Sequence, residues 1–228
     1  MINLHIVVPG SGRGPFMSHV TALAIETQRA GVRTNITNTQ GSDLIRMRTE
    51  AAYLAVAAGA THLMWIDDDM LFPPEGALLL LKHNLPLVAC NYIMRSLDNP
   101  RPIAQMLDRT VVTSLDKTGL GQVDLVGFGF MLVKAEVFKR IKFPWFGHRW
   151  FHKEGAPITD FEPGKLPNLL DWRSEFEDAW FCRRCRDAGI PIMIDHTLSP
   201  RIGHWGGVVF REEGISDIYQ TEHVIKVD

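Results

Sequence analysis

An apolar run of strand length, Leu4–Val8 (LHIVV), gives way to a loop, PGSGRGP, and then to a helix-length segment, FMSHVTALAIETQRAG, that stops at Gly31. The exchange then repeats. The strand-like VRTNITNT precedes the helical SDLIRMRTEAAYLAVAAG, with Ser42 as its expected N-cap and Gly59 as its stop. HLMWI is a third strand ending at Asp67; beyond Pro73 and Pro74, the short helix EGALLLLKHN leads to a fourth, PLVACNY. Short apolar strands alternating with helices predict an α/β fold with a Rossmann-like, mostly parallel central sheet covered on both faces.

Past this region the pattern changes. PIAQML, RTVVTSL and GQVDLVGFGFMLVK are short, partly Gly-rich, β-like pieces suited to a small antiparallel extension. The segment 145–172, polar, aromatic and rich in Gly and Pro, has no periodicity and reads as a lid-like loop, because so long a structureless connection is unusual unless it binds something. A helix from Glu175 to Ala188, a strand IPIMID and a tail containing RIGHWGG follow. With 228 residues, 46% of them hydrophobic, the chain can bury one sizeable core, and 1–228 reads as a single domain. The net charge of −2 gives no general pull toward nucleic acid or an anionic membrane, so a phosphate-bearing partner needs a local site. No apolar span approaches the roughly 20 residues of a membrane helix, and no basic leader with an apolar run opens the chain; the expectation is a soluble, cytoplasmic protein.

The chemistry concentrates in THLMWIDDDMLFPPE, Thr61–Glu75, where a strand ends in three consecutive carboxylates. In an open α/β sheet, ligands sit beyond the carboxyl ends of the strands. Asp67, Asp68 and Asp69 would repel one another there unless a cation offsets them, and Mg²⁺ or Mn²⁺ suits such oxygen ligands plus substrate phosphates. A solvated acidic turn is the plainer reading. Glu175, Glu177 and Asp178 are expected in the first turn of a helix, where the dipole favours acids, and His204 lies between glycines in GHWGG. Cys182 and Cys185 form a CxxC inside that helix; without a second ligand pair they read as small buried residues.

In combination, a strand ending in DxD, then VDLVGFGFMLVKAEVF, then an acidic pair opening EDAWFCRRCRDAGIPIMID, then GHWG, resembles the GT-A nucleotide-sugar glycosyltransferases, close to family 2 and its phage and bacterial relatives. The resemblance runs from about Leu4 to Gly206. It implies a GT-A fold whose residues 1–95 bind the nucleotide sugar and whose residues 96–228 bind the acceptor and carry catalysis. It implies a metal site of Asp67, Asp69 and His204, with Asp69 the first choice as direct ligand and Asp67 near the donor ribose or a metal-bound water; Asp68 fills the variable place. Asp178 matches the catalytic base of inverting members, with Glu177 beside it. Arg48, with Arg46 second, matches a basic residue near the donor, and Pro9 lies where the nucleotide packs, although PGSGRGPF replaces the Pro-aromatic-Asn turn common there. The implied cofactor is Mn²⁺ or Mg²⁺ and the implied donor a nucleotide-diphosphate sugar, UDP or GDP sugar first, in a bacterium or phage-infected host. The acceptor stays open among glycan, lipid carrier, protein and modified DNA base; HRWFHK mixes aromatic and cationic side chains that suit nucleic acid and carbohydrate alike.

Two other classes compete with this reading. WIDDDML superficially resembles the DxD of haloacid-dehalogenase-type phosphatases, which would make the protein a metal-dependent phosphoryl-transfer enzyme or hydrolase. A non-catalytic nucleotide- or glycan-binding module is the other. A dinucleotide fingerprint fails because Pro15 stands where a glycine is required.

Overall fold

The computed structural model describes residues 1–10, 14–96, 100–152, 172–205, 208–211, 214–217 and 224–225. The chain begins with β1 (Asn3–Pro9), α1 (Gly14–Arg29), β2 (Arg33–Thr39), α2 (Leu44–Ala57) and β3 (His62–Ile66). After β4 (Met70–Leu71) come α3 (Gly76–Lys82), β5 (Leu87–Ala89), β6 (Leu120–Val123), β7 (Phe130–Lys134) and α4 (Val137–Arg140). The C-terminal part adds β8 (Arg149–His152), β9 (Trp172–Glu175), α5 (Glu177–Asp187), β10 (Ile192–Asp195) and a 3-10 turn at Ser199–Arg201. It ends with β11 (Gly203–Trp205), β12 (Val208–Arg211), β13 (Gly214–Asp217) and β14 (Val224–Ile225).

Seven strands form the central sheet in the order β2-β1-β3-β7-β5-β10-β6. β1, β2, β3, β5 and β10 point one way and β6 and β7 the other. A second, antiparallel sheet runs β14-β13-β12-β11-β4, and β8 pairs with β9. The alternation of side chains decides which helices cover which face. Leu4, Ile6, Val8, Met64 and Ile66 pack with Phe16, Val20 and Leu23 of α1 and Leu80 of α3. Val7, Leu63 and Trp65 pack on the opposite face with Ala51, Ala52 and Ala55 of α2 and Phe181 of α5. Trp65 is fully buried and meets Phe128 and Phe146 edge-on at ring centroid distances of 5.3 and 5.5 Å.

Several local expectations change. Asp43, not Ser42, caps α2: its carboxylate accepts from the Arg46 backbone N–H at 3.1 Å. FMLVK is not part of a peripheral extension. As β7 it enters the middle of the central sheet between β3 and β5, and its run of buried residues fits a strand covered on both faces. PIAQML and RTVVTSL make only isolated bridges, such as Ile93 with Pro102 and Gln105 with Val111. Glu175 lies at the end of β9 and not in the helix, which starts at Glu177. The 145–172 segment is in part a β8–β9 ladder, and its portion 153–171, including Lys153, lies outside the described residues. The CxxC thiols are free and buried, and burial pushes both of their pKa values up. No helix among the described residues is long and apolar enough to cross a membrane.

Gly129 permits close packing beside the sheet edge. A Cβ built there would stand 2.6 Å from Tyr92 Cζ, while the Gly129 N–H donates to the Tyr92 hydroxyl at 3.1 Å and its carbonyl accepts from Asp67 N at 3.3 Å. Tyr92 is buried, so it has little room to move aside. Gly129→Ala is expected to destabilise the fold by about 1–3 kcal/mol through overpacking, measured by urea unfolding monitored by circular dichroism.

Candidate active site

β3 ends at Ile66 and delivers Asp67, Asp68 and Asp69 to the carboxyl edge of the sheet. The first of these turns toward α2. Arg48, only 3% exposed in its side chain, donates from Nη2 to Asp67 Oδ1 and from Nη1 to Glu177 Oε1, each at 2.8 Å. Its guanidinium also lies 4.7 Å from the centroid of the Phe128 ring. One buried cation thus joins the DxD strand to the first residue of α5. Arg46, two positions earlier on α2, is exposed and pairs with Glu50 at 2.8 Å, so the helix turn keeps it out of the site.

The third acid is held from the other sheet. β4 pairs antiparallel with β11 so that His204 stands opposite Met70, and Trp205 N donates to Asp69 O at 2.6 Å. The ladder brings His204 Nε2 to 3.1 Å from Asp69 Oδ2, and Arg95 Nη1 reaches the same oxygen at 2.9 Å. His204 Nδ1 lies 3.1 Å from the Ile93 carbonyl, which accepts its N–H, and the Tyr92 ring meets the imidazole edge-on at 5.6 Å. With Nδ1 donating to Ile93, the Nε2 contact with Asp69 is a hydrogen bond only when Nε2 also carries a proton; a metal ion bound at Nε2 would take the place of that proton. Burial opposes ionisation of Asp69, but the hydrogen bond and charge of His204, with Arg95, hold its pKa below the usual aspartate value.

Asp69 and His204 are adjacent, whereas Asp67 is engaged by Arg48. Among the described residues, no group of three or more His, Cys, Asp and Glu side chains is placed to hold a metal ion. One carboxylate and one imidazole fit Mn²⁺ or Mg²⁺ as a partial set, with phosphate oxygens of a substrate supplying the remainder.

Asp68 packs against Gly10, just beyond the buried Pro9 that ends β1. A Cβ at Gly10 would stand 2.4 Å from Asp68 Oδ2, and its φ of +137° also favours glycine. Residues 11–13 of the loop expected to meet the nucleotide lie outside the described residues.

Asp178 completes the cluster. It follows Glu177 in the first turn of α5, and its Oδ1 accepts from the Ala179 N–H at 2.6 Å. Burial, then the neighbouring Glu177 charge, raises its pKa from 3.8 to about 6 despite the Ala179 hydrogen bond and Arg48. Burial likewise pushes Asp67 up, against the attraction of Arg48. The sequence-predicted Asp67, Asp69, Glu177, Asp178, Arg48 and His204 therefore gather at one edge of the sheet. Arg95, Tyr92 and the Ile93 carbonyl were not anticipated. Their place follows from contacts across the sheet edge, for which the local sequence carries no periodic signal.

No family model matches the chain, and no curated protein matches it. Solved structures do. One is the crystal structure of A197 from STIV, similar with a TM-score of 0.58 and 15% sequence identity over 100% of this chain and 98% of that one. At this identity the similarity is one of fold: a mixed α/β architecture with a mostly parallel seven-stranded sheet flanked by helices and accompanied by small antiparallel sheets.

The raised pKa of Asp178 has a definite sign in stability. A carboxyl that binds its proton more tightly when folded favours the folded state below the unfolded value of 3.8, and that contribution is lost as pH rises through about 6. A shift of this size corresponds to about 3 kcal/mol, of which the lost Ala179 and Arg48 interactions take back a part in a neutral replacement. Asp178→Asn is therefore expected to raise stability at pH 8 by about 1–3 kcal/mol, with the gain fading below pH 6, as read from melting curves across pH.

Proposed function

We propose that this protein is a metal-dependent glycosyltransferase of the GT-A type, moving a sugar from a nucleotide-diphosphate sugar to an acceptor hydroxyl with inversion at the anomeric carbon. The observation that carries this reading is the Arg48 bridge, which joins the strand-terminal acid Asp67 to Glu177, the residue beside the candidate base. A pure binding module has no need of a carboxylate with a raised pKa beside such a cluster. Release of free nucleoside diphosphate separates the two readings.

In this mechanism Asp69 and His204 would hold a divalent ion. Such an ion would supply Lewis-acid stabilisation of the negative charge on the departing diphosphate. Arg48 has both terminal nitrogens committed to carboxylates, so it orients Asp67 and Glu177 and does not grip the donor. Arg95, whose side chain is half exposed, is the cation free to swing from Asp69 toward donor phosphates. Asp178 takes the proton of the acceptor hydroxyl as that oxygen bonds to the anomeric carbon. The carbon–oxygen bond to the diphosphate breaks on the opposite face, and the leaving group carries away the electron pair. A base with a pKa near 6 is ionised at neutral pH yet more basic than an ordinary aspartate.

The test is a melting-temperature screen with UDP, GDP, CDP and TDP sugars, each with Mn²⁺, with Mg²⁺ and with chelator. A shift for one nucleotide that requires metal and disappears in Asp69→Ala is expected, since a ligand of the folded state stabilises it by mass action. Asp178→Asn should keep that shift and lose transfer by roughly 10²- to 10⁴-fold. The wild-type rate should fall with acid below about pH 6. An α-product from an α-donor, assigned by NMR, would remove Asp178 as an in-line base.

A further inference from the structure

Behind the first turn of α5 lies a cavity of about 390 Å³ that the mechanism above does not use. Its volume falls within the range of small-molecule sites. Arg101, Arg109, Arg173 and Arg186 line it, with an apolar wall that includes Leu125 and Phe151. Two carboxylates share the lining, but both are engaged. Glu175 is bound by Arg149 at 2.5 Å and by Arg183 at 3.0 Å, and Asp124 Oδ2 accepts from the Leu107 N–H at 2.8 Å. Arg186 is anchored on the Asp124 carbonyl. Among the described residues, Arg101, Arg109 and Arg173 have no carboxylate partner.

Arg109 stands out for its backbone. Its φ is +70°, in the left-handed region where glycine is at ease and arginine is uncommon. The turn that holds it is closed by Arg109 N donating to Met106 O and Met106 N to Thr110 O, each at 2.9 Å. An arginine kept at such a position, facing a cavity with three others, suggests that its side chain serves a purpose the backbone opposes.

The cavity also reaches the chain on either side of the candidate base, although Asp178 itself does not line it. Ala179, which follows Asp178, and Glu175 both line it. We infer that this cavity binds a phosphate monoester, and that the monoester is carried by the acceptor, whose hydroxyl it presents to Asp178. The second half of this inference rests on the proposed glycosyl transfer; the first does not. A phosphate monoester offers three terminal oxygens and nearly two negative charges, which match several guanidinium forks better than a single carboxylate does. A nucleic acid is disfavoured because the arginines line one cavity interleaved with acids and do not form an extended basic stripe on a chain of net charge −2.

Isothermal titration of the full chain with inorganic phosphate, and with a single-stranded dodecanucleotide, tests the first half. Saturable phosphate binding is expected. It should weaken at least tenfold in Arg101→Gln/Arg109→Gly, whose glycine suits the backbone at 109 and preserves the fold, and it should be unchanged by chelator or Asp69→Ala. Absence of binding, its persistence in the double variant or its loss in Asp69→Ala overturns the site, as does an oligonucleotide binding a hundredfold tighter than phosphate. For the second half, small-molecule extracts with and without prior phosphatase treatment are offered as acceptors with the donor found in the nucleotide screen. Nucleoside diphosphate release should fall after phosphatase; release that is indifferent to it overturns the acceptor assignment. A chain that shows no donor shift but passes the phosphate titration keeps the cavity and loses only the transfer reading.

Discussion

The buried guanidinium of Arg48 is the interaction on which the arrangement of the candidate site depends. A cation removed from water is tolerable only when counter-charges and a polarisable surface replace the solvent, and here Asp67, Glu177 and the face of Phe128 do so. Its position requires α2 to lie close to the sheet, which Ala51, Ala52 and Ala55 allow by presenting almost no side chain at the contact. Asp67 directly follows β3 and Glu177 begins α5, so the same guanidinium sets where the helix starts relative to the sheet edge. Replacing either carboxylate would leave the charge underpaired in the interior, at a cost of about 3–5 kcal/mol for breaking such a pair. Packing, helix placement and site geometry are therefore one problem with one solution.

Around this anchor, carboxylates outnumber cations. Asp67, Asp68, Asp69, Glu177 and Asp178 face Arg48, Arg95 and an imidazole that is charged only when protonated. The excess is distributed unevenly. Asp69, hydrogen-bonded to His204 and Arg95, is held in its ionised form, whereas Asp178, enclosed beside Glu177, holds its proton more tightly than an isolated aspartate. Two aspartates in one cluster with pKa values driven apart can divide labour, one as a permanent anion and the other as a proton acceptor. Local environment separates them; their side chains are identical.

Much of the first half of the fold was legible because its signals are periodic and local. LHIVV and HLMWI end at glycine or acid, and the helices between them close at Gly31 and Gly59, both with positive φ. FMLVK was readable as a strand but not as a central one, since its place between β3 and β5 depends on partners far away in sequence. Acids favour the first turn of a helix, which points Glu175 toward α5, yet pairing of β9 with β8 claims it for a strand. In the site, Arg48 and Arg46 have the same chemistry and differ only in which side of α2 they occupy. The buried partners of α2, Met47, Ala51 and Ala55, decide between them. Arg95 carried no signal at all: an arginine in an irregular connection acquires meaning only when β4 and β11 bring Asp69 beneath it.

A net charge near zero likewise concealed a strong separation of charge. Acids collect at the carboxyl edge of the sheet, and arginines collect in the cavity that Ala179 borders, so the first turn of α5 stands between fields of opposite sign. In the sum over the chain these cancel. In the folded protein they do not, because low-dielectric walls keep each field local. Such a layout solves a problem that any transfer between two phosphate-bearing molecules must meet. Two anions brought within bonding reach repel each other, and the repulsion is smallest when each charge has its own counter-charge on a separate side of the reacting atoms. A cation at Asp69 and His204 would serve the donor, and the guanidinium groups of Arg101 and Arg109 would serve the acceptor. In the proposed transfer the region between them would be left to Asp178, whose task as a base would require a partner hydroxyl rather than a partner charge.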